Sequence, residues 1–186
     1  MCEAIEEHRE LLASVEQMLP LVDRAARLVT DAYAQDRRVI AFGNGGSAAD
    51  AQHLVAELVG RFKRERRPLG AISLAADPSV VTCIANDYSF DDLFARQVEA
   101  HARAGDVAVG YTTSGRSENV IRALRAARTA GAATVLFTGG DDGGGPAVSE
   151  ADVAFVVPST STARVQEMHV LLMHLVVEQV DAWAAV

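Results

Sequence analysis

The chain has 186 residues, 49% of them hydrophobic, which is enough for one well-cored domain and short for two. Its formal net charge of -8 has the wrong sign for a protein that binds nucleic acid by neutralising phosphates. Two cysteines make neither a disulfide framework nor a zinc-thiolate pattern. The N-terminus is polar and no apolar run approaches the roughly 20 residues that span a bilayer. We therefore expect a cytoplasmic protein that binds neither nucleic acid nor membrane.

Near the start of the chain, the apolar residues follow the spacing of a helix. Apolar residues spaced three and four apart run from Leu11 to Tyr33, which predicts two helices, or one helix kinked at Pro20. This stripe is long enough to pack against a partner subunit as well as against the chain's own sheet. A contact within the chain would explain it equally well, so the pattern leaves oligomerisation open.

Short apolar segments and helical segments then alternate to the end of the chain. The predicted strands are residues 38–42, 69–74, 106–111, 133–137 and 153–157. The predicted helices are residues 47–60, 91–103, 117–130 and 163–186. This alternation predicts a five-stranded parallel sheet covered on both faces, a flavodoxin- or Rossmann-like three-layer α/β sandwich preceded by N-terminal helices. We expect a single domain over 1–186, with a helical segment at 1–36 and an α/β core at 37–186.

The first unusual loop at the expected ligand-binding edge of the sheet is Gly43-Asn-Gly-Gly-Ser47. With Ala48 it formally satisfies the dinucleotide fingerprint, so a dinucleotide fold competes with other interpretations. Asp77, however, lies further from the glycines than the roughly 20 residues that the fingerprint expects. A Walker A loop is excluded because the G-K-[ST] ending is missing, and the glycines could also form only a tight turn. We expect no nucleotide cofactor.

The second unusual loop, Thr112-Thr-Ser-Gly-Arg-Ser117, carries four hydroxyls directly before a predicted helix. Hydroxyls and the unpaired amides of a helix N-terminus together make a site for a phosphate monoester. Ser117 could instead only cap the helix, but one hydroxyl would be enough for that role. Four hydroxyls favour a bound anion.

Polar residues on two predicted helices suggest chemistry beside this anion. His53 and Glu57 are four residues apart on one helix face, a pair that alone is more often a surface hydrogen bond. The apolar last helix adds Gln166, Glu167, His169 and His174, and buried polar groups must be hydrogen-bonded or bound to something. This set has the composition of a mixed nitrogen and oxygen metal site, and its Glu and His could also act as acid and base. Gln166 and His174 are about 12 Å apart along a helix, so a neighbouring subunit could complete the site.

Several segments together resemble one family. They are Phe42-Gly-Asn-Gly-Gly-Ser47, Gln52-His-Leu-Val-Ala-Glu57 with Gly60-Arg61, Ala85-Asn-Asp87, Thr112-Thr-Ser-Gly-Arg-Ser117, Leu136-Phe-Thr-Gly139 and Arg164-Val-Gln-Glu-Met-His169 with His174. From the N-terminal helices to the end, the chain resembles the phosphoheptose isomerases, which are sugar isomerase (SIS) domain enzymes. The resemblance implies interconversion of sedoheptulose 7-phosphate and D-glycero-D-manno-heptose 7-phosphate. It also implies a zinc ion and a homotetramer with sites at subunit contacts.

Residue by residue, the resemblance implies a metal group made of His53, Glu57, Gln166 and His174. Glu57 and His174 would also be the catalytic proton-transfer pair. The substrate would be bound by Asn44, Gly45, Gly46, Ser47, Glu57, Asn86, Asp87, Thr112, Thr113, Ser114, Ser117 and Gln166.

The sequence departs from the family pattern at a few positions. Thr112 and Arg116 stand where the family commonly has Ser and Asn, and Ala163 stands where an Asp is frequent. The loss of that carboxylate leaves an isomerase of another sugar phosphate as an alternative. A second alternative is a non-catalytic adaptor, because the segments 83–87 and 161–169 also resemble the bacterial DnaA initiator-associating protein. That protein lacks the helix glutamate and the late histidine, so Glu57 and His174 favour the enzyme.

Overall fold

The computed structural model describes residues 2–185. Its strands are β1 (Val39–Gly43), β2 (Ala71–Ser73), β3 (Val107–Tyr111), β4 (Ala133–Gly139) and β5 (Val153–Val157). Its α-helices are α1 (Cys2–Gln17), α2 (Leu19–Ala34), α3 (Gly46–Val59), α4 (Pro78–Asp87), α5 (Leu93–His101), α6 (Glu118–Thr129) and α7 (Thr162–Ala184). Short 3-10 helices cover Phe90–Asp92 and Pro146–Glu150. No helix within residues 2–185 is both long and apolar enough to cross a membrane.

The five strands form one parallel sheet in the order β2-β1-β3-β4-β5. The predicted five-stranded parallel α/β fold is therefore confirmed. The chain leaves β1 toward β2 and then returns to the other side of β1 with β3. This reversal of direction is the topological switch point at which open α/β sheets bind their ligands. It places the loops after β1 and β3 side by side at the carboxyl edge.

Both faces of the sheet are buried, as its continuous apolar strands require. All five residues of β1 are buried. Val39 and Ala41 face the core shared with α1, α2, α3 and α7, whereas Ile40 and Phe42 face the core shared with α5 and α6. This alternation follows from the two-residue period of a strand. It also puts α3 and α7, the two helices that carry the histidines and Glu57, on the same face.

A buried ion pair fixes α3 relative to the end of α7. The carboxylate of Asp181 accepts a hydrogen bond from Arg66 Nε at 3.1 Å, and neither side chain is exposed to solvent. Arg66 also donates to the carbonyl oxygens of Glu57 and Leu58, at 2.6 and 2.9 Å. A buried pair is stable only when further hydrogen bonds satisfy it, as they do here. The pair therefore sets the position of the last turn of α3, which carries Glu57.

Helix α4 is the main element that the sequence pattern did not predict. Only Ile84 of this helix is buried, so it lacks the apolar stripe that marks the other helices. Asp77, considered above as a ribose ligand, is its N-cap: Oδ1 accepts from the backbone N–H groups of Ser79 and Val80, at 2.8 and 3.2 Å. Strand β2 is also shorter than predicted, because only three of its residues pair with β1. The restart of the first helix near Pro20 is confirmed, since α2 begins at Leu19.

Candidate active site

A cavity of about 220 Å³ opens at the switch point, between the loops that follow β1 and β3. We call it the anion cavity. It is lined by Asn44, Gly46, Ser47, Tyr111, Thr112, Thr113, Ser117, Thr162 and Gln166. These residues offer hydroxyls, amides and backbone groups, and none of them is a lysine or an arginine.

Three helices begin at the wall of the anion cavity. Gly46 is the first residue of α3, Ser117 is the N-cap of α6, and Thr162 is the first residue of α7. No side chain caps any of these three N-termini. The hydroxyl of Ser117 lies instead 3.2 Å from that of Thr112, so Ser117 does not act as a side-chain cap. Three uncapped N-termini present free N–H groups and the positive ends of their dipoles, which together favour an anion.

The loop after β1 is shaped so that α7 can approach it closely. Gly45 has a φ of 56°, in the left-handed region that favours glycine. A Cβ atom on Gly46 would overlap the amide of Gln166, so only glycine lets that side chain reach the cavity wall. The amides of Asn44 and Asn119 exchange two hydrogen bonds of 2.9 Å, which fix the loop to α6. Asn119 was not predicted; its place in the first turn of α6 is the only sequence signal for it.

Further along α3 and α7, three titratable side chains meet. We call His53, Glu57 and His174 the His/Glu/His group. The distance from His53 Nε2 to Glu57 Oε1 is 3.1 Å, and His174 Nε2 lies 3.4 Å from His53 Nε2. One ligand atom from each residue lies within 4.8 Å of the other two. The Glu57 side chain is 20% exposed, so the group is shielded from solvent but reachable from it.

The His/Glu/His group has ligand atoms of the kind and spacing that could hold a metal ion. Ligand bonds of about 2.0–2.1 Å in a tetrahedral arrangement place neighbouring donor atoms about 3.3 Å apart. Two of the three spacings, 3.1 and 3.4 Å, match this value, and all three ligand atoms lie within 4.8 Å of one another. Burial, and then the neighbouring His53, lower the pKa of His174, which favours the neutral imidazole that binds metals. Gln166 lies two turns earlier on α7, in the wall of the anion cavity, and its role as a fourth ligand stays a prediction.

Three buried polar groups lie in the core beside these sites: Asp50 and Tyr111, which were not predicted as site residues, and His169, which the sequence analysis noted on the last helix without giving it a role. Asp50, one turn before His53 on α3, is 9% exposed and its Oδ2 has no hydrogen-bond partner in the described part of the chain. Burial raises the pKa of Asp50 to about 6. The hydroxyl of Tyr111 and Nδ1 of His169 are also unpaired among residues 2–185. Burial lowers the pKa of His169 to about 4, so the neutral ring donates from Nε2 to the carbonyl oxygen of Thr138 at 3.1 Å.

Some predicted substrate residues lie outside the wall of the anion cavity. Asn86 and Asp87 are exposed on the last turn of α4, where the Asn86 amide donates to the Asp87 carboxylate at 2.7 Å. Gly45 and Ser114 are exposed as well. Arg116 points toward Asp142, with which it forms an ion pair. One chain alone therefore does not bring all the predicted substrate residues together.

Comparison with known proteins identifies the family. The SIS domain model matches residues 5–139. The phosphoheptose isomerase of Geobacter sp. (strain M21) is 50% identical over 94% of this chain and 90% of its own length. That of Aquifex aeolicus (strain VF5) is 51% identical over 91% of this chain and 88% of its own. The solved phosphoheptose isomerase of Neisseria gonorrhoeae superposes with a TM-score of 0.90 at 39% identity, covering 97% of this chain and 96% of that one.

The fold is thus that of SIS domain proteins. The chain belongs to this family and, within it, to the phosphoheptose isomerases, which are enzymes that act on sugar phosphates. The expectation of an isomerase is confirmed, and the adaptor alternative is not supported.

Proposed function

We propose that residues 1–186 act as one SIS domain that interconverts sedoheptulose 7-phosphate and D-glycero-D-manno-heptose 7-phosphate in the cytoplasm. The observation that carries this proposal is the meeting of Glu57 with His174 on the same two helices whose N-termini open at the anion cavity. His53 is seven residues beyond Gly46, about 10 Å along α3. An extended sugar phosphate bound by its phosphate at the helix N-termini would reach the His/Glu/His group with its carbonyl end.

The phosphate would be held by neutral donors. The hydroxyls of Thr112, Thr113 and Ser117 line the anion cavity, together with the first amides of α3, α6 and α7. Ser114 would reach the phosphate by rotation of its exposed side chain. Asn44, Gly45, Gly46, Ser47 and Gln166 would bind the hydroxyls of the sugar.

The reaction moves a proton between two adjacent carbons through an enediol. It therefore needs a base, an acid for the carbonyl oxygen, and a group that stabilises the developing negative charge. Glu57 and His174 would share these proton transfers, because their half-buried side chains meet on two neighbouring helices. A zinc ion held by His53, Glu57, Gln166 and His174 would supply a Lewis acid that polarises the sugar oxygens.

The active enzyme would be a homotetramer with sites at subunit contacts. Two observations support this part of the proposal. Asn86 and Asp87 are exposed in a single chain, and the large apolar side chains of Tyr88 and Phe90 beside them are 58% and 55% exposed. A neighbouring subunit that covers this patch would bring the two polar residues to a site. Light scattering on the purified protein should give four times the 19.7 kDa chain mass; a monomer would contradict this arrangement.

The test of the proposed function is Glu57→Gln, which keeps the shape of the side chain and removes its basicity. Wild-type protein should convert sedoheptulose 7-phosphate to the aldoheptose phosphate. Glu57→Gln should lower kcat about a thousandfold while calorimetry still detects sugar phosphate binding. Glu99→Gln, an exposed change on α5, is the matched control and should keep full activity. Full activity in Glu57→Gln would refute the assignment, and conversion of only another ketose phosphate would refute the substrate.

A further inference from the structure

A second cavity lies at the opposite edge of the sheet, at the amino ends of β1 and β2. Its volume is about 360 Å³. The turn between α2 and β1 contributes Asp36, Arg37 and Arg38, and the segment that leads into β2 contributes Arg67 and Gly70. We call it the arginine cavity. Because the anion cavity opens at the carboxyl ends of the strands, the two cavities are separate.

Three guanidinium groups and one carboxylate, that of Asp36, line the arginine cavity. Arg37, Arg38 and Arg67 are exposed and take part in none of the ion pairs found within residues 2–185. Arg66, the neighbour of Arg67, is in contrast buried against Asp181. The three like charges repel each other and outnumber the single carboxylate of Asp36, which is notable in a chain of net charge -8. A bound anion would relieve that repulsion.

Aromatic side chains hold one wall of the arginine cavity in place. The guanidinium carbon of Arg67 lies 5.6 Å from the ring centroid of Trp183, and that ring stacks 6.5 Å from the ring of Tyr33. The Tyr33 hydroxyl donates to the carbonyl oxygen of Gly70 at 3.2 Å, which ties α2 to the segment before β2. A guanidinium stacked on a ring keeps the N–H groups of its edge free for a ligand. The wall of the cavity that Arg67 and Gly70 form is therefore held in place by these contacts.

We propose that the arginine cavity binds a small phosphate-bearing anion of two or more negative charges. Guanidinium groups match phosphate oxygens in a two-point geometry, which makes arginine the usual residue for such ligands. The size of the cavity admits a small molecule, and the net charge of -8 opposes a long polyanion such as nucleic acid.

The test uses Trp183, which is the only tryptophan of the chain and touches this site. Titration of the full-length protein with pyrophosphate should change its fluorescence saturably, and calorimetry should give the same affinity. Arg37→Gln should weaken binding about tenfold, and Arg38→Gln provides a second variant at the same wall. Arg27→Gln removes the same charge from an exposed position of α2 outside the cavity, and it should bind as the wild type does. A parallel titration with ADP tests which kind of phosphate-bearing ligand the cavity prefers. An affinity equal to that for pyrophosphate indicates that only the phosphoryl groups are recognised, and tighter binding indicates a nucleotide. Both results support the site.

Three results would overturn the proposal. The first is the absence of a saturable response in the wild-type protein. The second is unchanged affinity in both Arg37→Gln and Arg38→Gln, with circular dichroism showing that the variants are folded. The third is a response that Ser117→Ala abolishes, because pyrophosphate would then be bound in the anion cavity.

Discussion

The anion cavity and the His/Glu/His group lie on the same two helices, yet they are formed by different kinds of chemical group. The cavity is lined by hydroxyls, amides and three helix N-termini, with no carboxylate, imidazole or cation in its wall. The group gathers two imidazoles and a carboxylate within 4.8 Å. The proposed phosphate binding and the proposed proton transfer are thus separated along the helices. Changes in the cavity should mainly alter KM, whereas changes in the group should mainly alter kcat.

If the His/Glu/His group holds the proposed metal, the largest effect after that of Glu57→Gln should come from removing it. Dialysis against a chelator should lower activity about a hundredfold, and added zinc should restore it. His53→Gln should reproduce the loss and reduce the zinc content measured by atomic absorption, because it removes one of three converging ligands. His101→Gln, an exposed change at the end of α5, should lose neither activity nor zinc. Full activity of a verified metal-free enzyme would show that the group works without a metal.

A smaller effect, on KM rather than on kcat, is expected from changes in the anion cavity. Ser117→Ala removes one donor to the phosphate and should raise KM for the sugar phosphate about tenfold, with kcat changed less than about twofold. Ser149→Ala, an exposed serine on the Pro146–Glu150 turn, is the control. A fall in kcat at constant KM in Ser117→Ala would contradict the separation of the two regions.

The sequence revealed some residues of the two regions and missed others. The glycine loop and the four hydroxyls could be found because their chemistry is local: each stands directly between a strand and a helix. Tyr111 and Thr162 were missed, since an aromatic residue at the end of a strand and a threonine before a helix look ordinary until the strand order brings them together. Asp50 was missed because a carboxylate on a helix usually faces solvent, and only the packing of α3 buries it. The predicted roles of Asn86 and Asp87 depend on the proposed second subunit, whose contacts one sequence does not describe.

The smallest predicted effect concerns Asp50 and the pH dependence of stability. Its pKa is raised from 3.8 to about 6, so the folded protein binds more protons than the unfolded chain between these values. Its contribution to the free energy of unfolding is therefore lost as the pH rises through this window. In metal-free protein at pH 7.5, Asp50→Asn should add about 1–3 kcal/mol, a rise in Tm of several degrees. Asp31→Asn, on the exposed face of α2, is the control and should leave Tm unchanged. A lower Tm for Asp50→Asn would contradict the claim that the buried, unpaired carboxylate destabilises the fold.

Thermal melts at different pH values should show that His169 affects stability in the direction opposite to Asp50. Its pKa is lowered from 6.5 to about 4, so its contribution to stability is complete above pH 6.5 and is lost as the pH falls toward 4. His169→Gln keeps a donor toward Thr138 and should flatten the acid side of the Tm profile. An unchanged acid side would mean that other groups control it.

The most direct test of the central claim is isomerisation of sedoheptulose 7-phosphate in deuterated water, with the product followed by NMR. Proton transfer by Glu57 and His174 through an enediol predicts deuterium on carbon 2 of the aldose phosphate, because the abstracted proton exchanges with solvent. A product that forms at the normal rate and carries no solvent deuterium would mean that the hydrogen never resides on a group that exchanges with water, and it would contradict proton transfer by the solvent-reachable Glu57 and by His174.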